Sequence, residues 1–191
     1  ADARLVQRIP GSTDVHLTFD DGPDPEATPW VLDELERHGA KATFFLIGAH
    51  AERHPLLVER IRAAGHTVGN HTWDHEDAWR TPASDHLASV ARCRALLGTN
   101  LYRPPYGHIT PRLLRALHPQ HRIILWRVMA GDFLPGMDPE RMARRVVRRS
   151  GPGAIVVLHD TQRCLPKLKV ALPRMLTAWG QRGLRSTAIP G

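Results

Sequence analysis

The sequence predicts an α/β protein whose single domain, residues 1–191, is an incomplete (β/α) barrel of about seven parallel strands. Short apolar runs alternate with amphipathic segments along the chain, which is typical of a parallel sheet covered by helices. Residues 154–158 are almost wholly apolar, as expected for a strand that is buried on both faces. A closed barrel of eight units needs roughly 250 residues. Because the chain has 191, we expect the barrel to be incomplete.

The first half of the chain alternates between strands and helices with clear boundaries. Apolar and β-branched runs predict three strands, over residues 15–19, 42–47 and 66–69. Amphipathic patterns predict three helices, over residues 28–38, 55–64 and 84–97. Thr28 and Ser84 are residue types that cap helix N-termini. Gly39, Gly65 and Gly98 follow the predicted helix ends, where glycine is favoured.

The second half continues the same alternation. Apolar runs predict two strands, over residues 121–126 and 154–158. Helices are predicted over residues 110–117, 138–149 and 167–182. Thr110-Pro111 and Asp138-Pro139 are strong helix starts, since proline is favoured at the first helical position. Pro173 predicts a kink or a restart inside the last helix.

The chain is strongly basic, with a formal net charge of +7 that comes mostly from arginine. Such a charge can attract nucleic acid, an anionic membrane or an acidic polymer. Within residues 141–149, however, the arginines recur at helical spacing, while Met142, Ala143, Val146 and Val147 fall on the other side. We interpret this pattern as a solvated helix face whose apolar side packs inward, and we expect no nucleic-acid partner.

Composition limits the remaining classes of protein. No apolar run is long enough to span a membrane. Cys93 and Cys164 do not form a Cys-x-x-Cys pair, so we expect two free thiols that pack as small apolar groups. No signal peptide is visible at the start of the chain, but this leaves the location open: exported or cell-envelope-associated if the N-terminus was trimmed, and cytoplasmic otherwise. We expect a monomer.

Two adjacent carboxylates follow the first predicted strand. Asp20 and Asp21 precede Gly22-Pro23. Neighbouring side chains on a strand point to opposite sides, so both can reach one centre only if the backbone bends there. Gly22-Pro23 suits such a bend. A surface turn is the alternative interpretation.

Two histidines follow the third predicted strand. His71 and His75 are four residues apart, which would place both imidazoles on one face of a helical turn and within reach of one metal ion. Two histidines and one carboxylate, with an open position, form a known catalytic zinc arrangement. The alternative is chance spacing in a chain with 12 histidines.

Three further segments carry reactive or orienting groups. Arg103 precedes Pro104-Pro105-Tyr106-Gly107, and this stiff segment suits a guanidinium that orients a carboxylate. His159 directly follows the most apolar strand, where it can serve as a general acid or base. Asp132 and Phe133 follow the strand that ends at residue 126. Each segment has a structural alternative, such as a proline-rich surface loop.

Together and in this order, the segments resemble the polysaccharide deacetylases of carbohydrate esterase family 4, which are built on the NodB homology domain. Three motifs carry the resemblance, which runs from about Val15 to near the C-terminus: Thr-Phe-Asp-Asp-Gly-Pro at 18–23, His-Thr-x-x-His at 71–75 and Arg-Pro-Pro-Tyr-Gly at 103–107. The resemblance implies a distorted, incomplete (β/α) barrel with one divalent metal ion, most often Zn²⁺, with Co²⁺ or another transition metal as alternatives. It also implies removal of N-acetyl groups from a glycan containing N-acetylglucosamine, of the chitin-oligomer or peptidoglycan type.

The resemblance also assigns roles to particular residues. It implies that Asp21, His71 and His75 bind the metal, that Asp20 is the catalytic base and that Arg103 orients Asp20. It implies that His159 is the general acid with Asp132 as its partner. Tyr106 would supply a backbone N–H to the oxyanion, and Tyr106, Val157 and Phe133 would contact the substrate.

The chain departs from the family pattern near Asp132. The family often has an aspartate where this chain has Met129, and a tryptophan where it has Phe133. These changes affect the surroundings of His159 and the shape of the substrate groove. Three alternatives remain at this point: an esterase for O-acetyl groups such as those of xylan, a sugar-binding relative without turnover, and a nucleic-acid-binding protein.

Overall fold

Short parallel strands form one curled, open sheet in the computed structural model, which describes residues 2–191. In chain order the eight strands within residues 2–191 are β1 Leu5–Val6, β2 His16–Asp20, β3 Ala42–Leu46, β4 Thr67–Asn70, β5 Leu101–Tyr102, β6 Arg122–Ile124, β7 Val128–Met129 and β8 Ile155–His159. Their order across the sheet is β1-β6-β5-β4-β3-β2-β8-β7, and each neighbouring pair is parallel. Because β1 and β7 lie at opposite edges, the barrel is incomplete, as predicted.

Helices connect the strands and cover the outside of the sheet. In the described part of the chain they are α1 Ala27–Arg37, α2 Gly48–Arg53, α3 Pro55–Ala63, α4 Ala83–Leu97, α5 Pro111–Leu117, α6 Pro139–Arg149 and α7 Leu165–Gln181, with a 3-10 turn at Pro105–Gly107. No helix in residues 2–191 is long and apolar enough to cross a membrane.

The core lies at the centre of the sheet, where β2, β3 and β8 pair. All of β2 and β3 and most of β8 are buried, because helices cover one face and side chains fill the concave face. Phe19 on β2 stacks on Phe44 on β3 with ring centroids 5.1 Å apart. Cys93 and Cys164 are buried free thiols within this core, as predicted.

Three strands and one helix escaped the sequence prediction. Strands β1, β5 and β7 have two residues each, which is too short for an alternating pattern to appear. Helix α2 has six residues, of which only Gly48 and Ala51 are buried, so it is too short to show an amphipathic pattern. The sheet therefore has eight strands where about seven were expected. Strand β5 matters most, because it places Arg103 at a strand end.

The predicted N-caps at Thr28 and Ser84 are wrong. Helix α1 begins at Ala27, and Asp24 Oδ1 accepts the backbone N–H groups of Glu26 and Ala27. The Thr28 hydroxyl instead donates to the Asp160 carboxylate at 2.5 Å. Helix α4 begins at Ala83, one residue before Ser84. Tertiary hydrogen bonds thus outweighed the local capping preference at Thr28.

The predictions for the last two helices have mixed outcomes. On α6, Met142, Ala143 and Val146 are buried, which confirms that its arginines form a solvated face. Asp138 Oδ1 accepts the N–H of Arg141 and caps this helix. Helix α7 runs through Pro173 without interruption, so the predicted restart is wrong.

Candidate active site

The predicted chemical groups lie together at the carboxyl end of the strands. In a parallel sheet all strands end at the same edge, so residues far apart in sequence meet there. A cavity of about 530 Å³ opens at this edge. Eight of the ten predicted site residues line it: Asp20, Asp21, His71, His75, Tyr106, Phe133, Val157 and His159. The other two, Arg103 and Asp132, are fully buried and bond to residues that line the cavity.

Asp20 ends β2 and is paired with Arg103 from the end of β5. Arg103 Nη1 donates to Asp20 Oδ1 at 2.6 Å and to Thr18 Oγ1 at 2.7 Å. The guanidinium stacks on the Phe45 ring, 4.1 Å from its centroid. A buried cation needs a partner and hydrogen bonds, and the carbonyl of Leu125 supplies a further acceptor at 3.0 Å. Asp20 is therefore held by a rigid donor.

Asp21 turns away from the strand through its own backbone. Its φ is 76°, in the left-handed region that few residues other than glycine, asparagine and aspartate adopt. The predicted bend is therefore present: the positive φ lies at Asp21 itself, and the Gly22–Pro23 peptide bond that follows is cis. A Cβ at Gly22 would clash with the Asp160 carboxylate, so this loop also needs glycine there. His50 Nδ1 lies 2.9 Å from the Asp21 carbonyl and bonds to it.

Asp21, His71 and His75 converge on one point. Asp21 Oδ1 lies 3.4 Å from His71 Nε2 and 3.2 Å from His75 Nε2. This oxygen is buried and accepts no hydrogen bond from the described residues. One ligand atom from each of the three residues lies within 4.8 Å of the others. A buried carboxylate oxygen facing two imidazole nitrogens fits a divalent metal ion such as zinc, which favours these ligands.

The backbone that carries the two histidines is not the helical turn that the spacing predicted. Residues 71–75 follow β4 as an irregular segment, with φ of 66° at Thr72 and 60° at His75. His71 Nδ1 donates to the Arg103 carbonyl at 2.8 Å, which turns Nε2 toward Asp21. Such outer hydrogen bonds orient histidine ligands in metal sites. The prediction that both imidazoles reach one point is confirmed, but by a different backbone.

His159 and Asp132 form a pair on the β8 and β7 side of the cavity. His159 Nδ1 donates to Asp132 Oδ1 at 2.9 Å, and the His159 backbone N–H donates to Asp132 Oδ2 at 2.7 Å. Burial acts to lower the pKa of His159. The bond and the charge of Asp132, with the charges of Asp20 and Asp21, outweigh burial and raise this pKa to about 9. His159 is therefore protonated at neutral pH.

The three predicted substrate contacts take distinct positions. Val157 is buried in β8 and lines the cavity floor. Phe133 lies edge-to-face with His159, with centroids 5.2 Å apart. Tyr106 is 59% exposed at the cavity rim, and its φ of 60° turns the backbone of the 3-10 turn.

Several residues of the site escaped the sequence analysis. Thr18 bonds to Arg103, and its position two residues before Asp20 on the same strand face was a usable signal. Met129, which the sequence marked only as a departure from the family pattern, lines the cavity. Trp126, Arg163 and Cys164 line it too, and nothing in their local sequence marks them, because their contribution depends on how the strands are ordered in the sheet.

The fold and the site together define an open (β/α) barrel with a cavity of carboxylate and imidazole groups at the carboxyl end of its strands. A family model described as polysaccharide deacetylase matches residues 7–120. The chain belongs to the polysaccharide deacetylases of carbohydrate esterase family 4 and carries their NodB homology domain.

Individual relatives agree with this assignment. The chain is 33% identical to a peptidoglycan-N-acetylglucosamine deacetylase of Bacillus cereus over 189 residues, covering 93% of this chain and 67% of the relative. It is 39% identical to a chitooligosaccharide deacetylase of Bradyrhizobium sp. over 161 residues, covering 80% and 73%. The crystal structure of the Bc1960 peptidoglycan N-acetylglucosamine deacetylase superposes with a TM-score of 0.91 at 31% identity, covering 97% of this chain and 90% of that one.

Proposed function

We propose that this deacetylase is a metal-dependent enzyme that removes N-acetyl groups from N-acetylglucosamine units of a glycan of the peptidoglycan or chitin-oligomer type. We also propose that residues 1–191 act as one catalytic domain. The observation that carries the proposal is the convergence of Asp21, His71 and His75 on one point, with Asp20 beside it. The names of the two relatives support N-acetylglucosamine as the sugar.

Asp21, His71 and His75 would hold the metal ion, with zinc as the expected metal. When bound, the ion would polarise the acetyl carbonyl and make water more acidic. The ligand set matches the two-histidine, one-carboxylate arrangement of catalytic zinc sites, which leaves a position open for the reaction.

Asp20 is placed to act as the general base. It lines the cavity beside the three proposed ligands, and its Oδ1 is occupied by Arg103. We propose that the carboxylate takes a proton from the attacking water while Arg103 keeps its orientation fixed. A rigid partner matters because the reaction rate falls steeply when a catalytic group is misplaced.

His159 is placed to act as the general acid. The amide nitrogen leaves as an anion only with difficulty, so it needs a proton as the C–N bond breaks and then departs as a neutral amine. His159 is protonated at neutral pH and faces the cavity, and Asp132 fixes its ring. We propose that it delivers this proton, while the backbone N–H of Tyr106 donates to the developing oxyanion. Val157 and Phe133 would enclose the acetyl group and the sugar.

The test is acetate release from acetylated glycans by the purified protein. We expect release from N-acetylglucosamine oligomers or from peptidoglycan, complete loss after chelation and recovery on addition of zinc or cobalt. Release from O-acetylated xylan alone would replace the proposal with an esterase function. Full activity after exhaustive chelation would contradict the role of the metal.

A further inference from the structure

The surface beside the cavity carries a large aromatic side chain that faces solvent. Trp79 is 65% exposed, and it is the largest of the exposed hydrophobic side chains in residues 2–191. It lies in the loop between β4 and α4, a few residues after His75. Nothing in the mechanism above uses it.

Trp79 is fixed in place by its neighbours. Its ring stacks on His108, with centroids 3.4 Å apart and an interplanar angle of 9°. Asp77 Oδ1 accepts both the Trp79 backbone N–H at 2.9 Å and His108 Nδ1 at 2.8 Å. One face of the indole is therefore covered, while the side chain remains largely open to solvent. An aromatic ring that is already ordered binds a ligand with little loss of entropy.

Trp79 is also continuous with the cavity. The His75 and Tyr106 rings lie 4.7 Å apart, and the Tyr106 and His108 rings lie 5.7 Å apart. His75, Tyr106, His108 and Trp79 thus form one row of rings, which we name the aromatic row. It starts at a proposed metal ligand and ends on the open surface.

We propose that the outer end of the aromatic row binds a sugar unit of the same glycan chain, next to the unit that loses its acetyl group. This inference rests on the proposed function. A pyranose ring presents a face of C–H groups that carry slight positive charge, and this face complements the negative face of an aromatic ring. The charge of Asp77, which holds the platform, is already engaged: Oδ1 bonds to His108 and Oδ2 lies 3.7 Å from Arg80 Nε, so the open indole favours a neutral, flat ligand.

The proposal predicts that Trp79 acts only on substrates long enough to reach it. We compare Trp79→Ala, Trp79→Phe and the wild-type enzyme on an N-acetylglucosamine hexamer and dimer. We expect Trp79→Ala to lower the ratio of kcat/KM for the hexamer to that for the dimer by roughly five- to tenfold, with the loss in KM. Trp79→Phe keeps an aromatic face and should restore part of the ratio. Leu56→Ala, which changes a 77% exposed side chain on α3, is the matched control.

A binding measurement separates this proposal from the proposed function. Calorimetric titration of the hexamer into Asp20→Asn and into Asp20→Asn/Trp79→Ala requires no turnover. We expect the second protein to bind about five- to tenfold more weakly. Equal affinity of the two proteins, or an equal loss for dimer and hexamer, would overturn the aromatic row as a second sugar site. If the wild-type enzyme releases no acetate while Trp79 still controls hexamer binding, the proposed function fails and this inference stands.

Discussion

At the scale of single residues, Asp20 has one strong partner and an open approach from the cavity. Arg103 occupies Oδ1, and the carboxylate still lines the cavity wall. An asparagine at this position keeps the size and a hydrogen-bonding oxygen but cannot take a proton. Base catalysis by Asp20 can therefore be separated from the packing around it.

We expect Asp20→Asn to lower kcat by about 10²–10⁴-fold, the usual contribution of a general base. Metal content, measured by atomic emission, should stay at the wild-type level because Asp20 is not a proposed ligand. Asp33→Asn, on the exposed face of α1, is the matched control and should keep wild-type kcat. A kcat for Asp20→Asn near the wild-type value would show that another group is the base.

The His159–Asp132 pair predicts a pH dependence with a definite sign. His159 must be protonated to act as an acid, and its raised pKa of about 9 keeps it protonated below that pH. The rate should therefore fall as the pH rises through the pKa of His159. The midpoint of this fall should lie no higher than about pH 9, because a bound metal ion would lower the pKa of His159. In Asp132→Asn the stabilising carboxylate is lost, burial dominates, and the midpoint should move at least about two units toward acid.

A pH–rate profile of kcat for both proteins checks this prediction. An alkaline midpoint that is the same in wild type and Asp132→Asn would contradict the assignment of His159 as the acid.

At the scale of secondary-structure elements, the close packing of β4 against β3 helps to fix the orientation of Asp20, the proposed general base. Gly69 on β4 faces the Phe45 ring on β3, and that ring stacks on the Arg103 guanidinium. A Cβ at residue 69 would clash with the Phe45 ring. Glycine at position 69 therefore leaves room for Phe45. Phe45 in turn packs on Arg103, which orients Asp20.

We expect Gly69→Ala to lower the free energy of unfolding by about 1–3 kcal/mol, the usual cost of overpacking. It should also reduce kcat, because Phe45 and Arg103 must move. Gly180→Ala is the matched control: this exposed residue of α7 has open space around it, and alanine should stabilise the helix by roughly 0.5–1 kcal/mol. Urea unfolding of both variants measures these changes, and a Gly69→Ala protein as stable as wild type would refute the packing argument.

The elements also show what the sequence could and could not predict. The strands of four or five residues, such as β2 and β8, were found because alternation and apolar runs need that length to appear. The two-residue strands β5 and β7 were missed, although they carry Arg103 and lead to Asp132. The site residues themselves were found by motif. The role of Thr18 was missed although it shares a strand face with Asp20, whereas Trp126 was missed because its position at the cavity depends on how distant strands are ordered.

At the scale of the whole molecule, the site joins segments that are remote in sequence. The three proposed ligands come from the ends of β2 and β4, so a bound ion would tie two parts of the sheet together. A ligand that binds only the folded state stabilises it by mass action. Metal binding should therefore be visible in thermal unfolding, without any substrate.

We expect zinc at 100 times its Kd to stabilise the protein by about 2.7 kcal/mol and to raise its Tm by roughly 5–10 °C. His71→Ala should lose this increase, because one ligand is missing. His121→Ala removes a buried histidine away from the cavity and should keep the zinc-dependent increase, whatever its own Tm. An unchanged zinc response in His71→Ala would show that the ion binds elsewhere.

Arg103 forms one hydrogen bond through its side chain and another through its main chain, and the two together limit which insertions and deletions the enzyme can accept during evolution. Its side chain holds Asp20, and its main-chain carbonyl holds the ring of His71. An insertion or deletion within β5 would displace both partners in one step, whereas the exposed loop around Arg80 can change length with neither affected. We therefore expect variants with altered substrate reach to arise by remodelling that loop, while the spacing from Leu101 to Arg103 stays invariant.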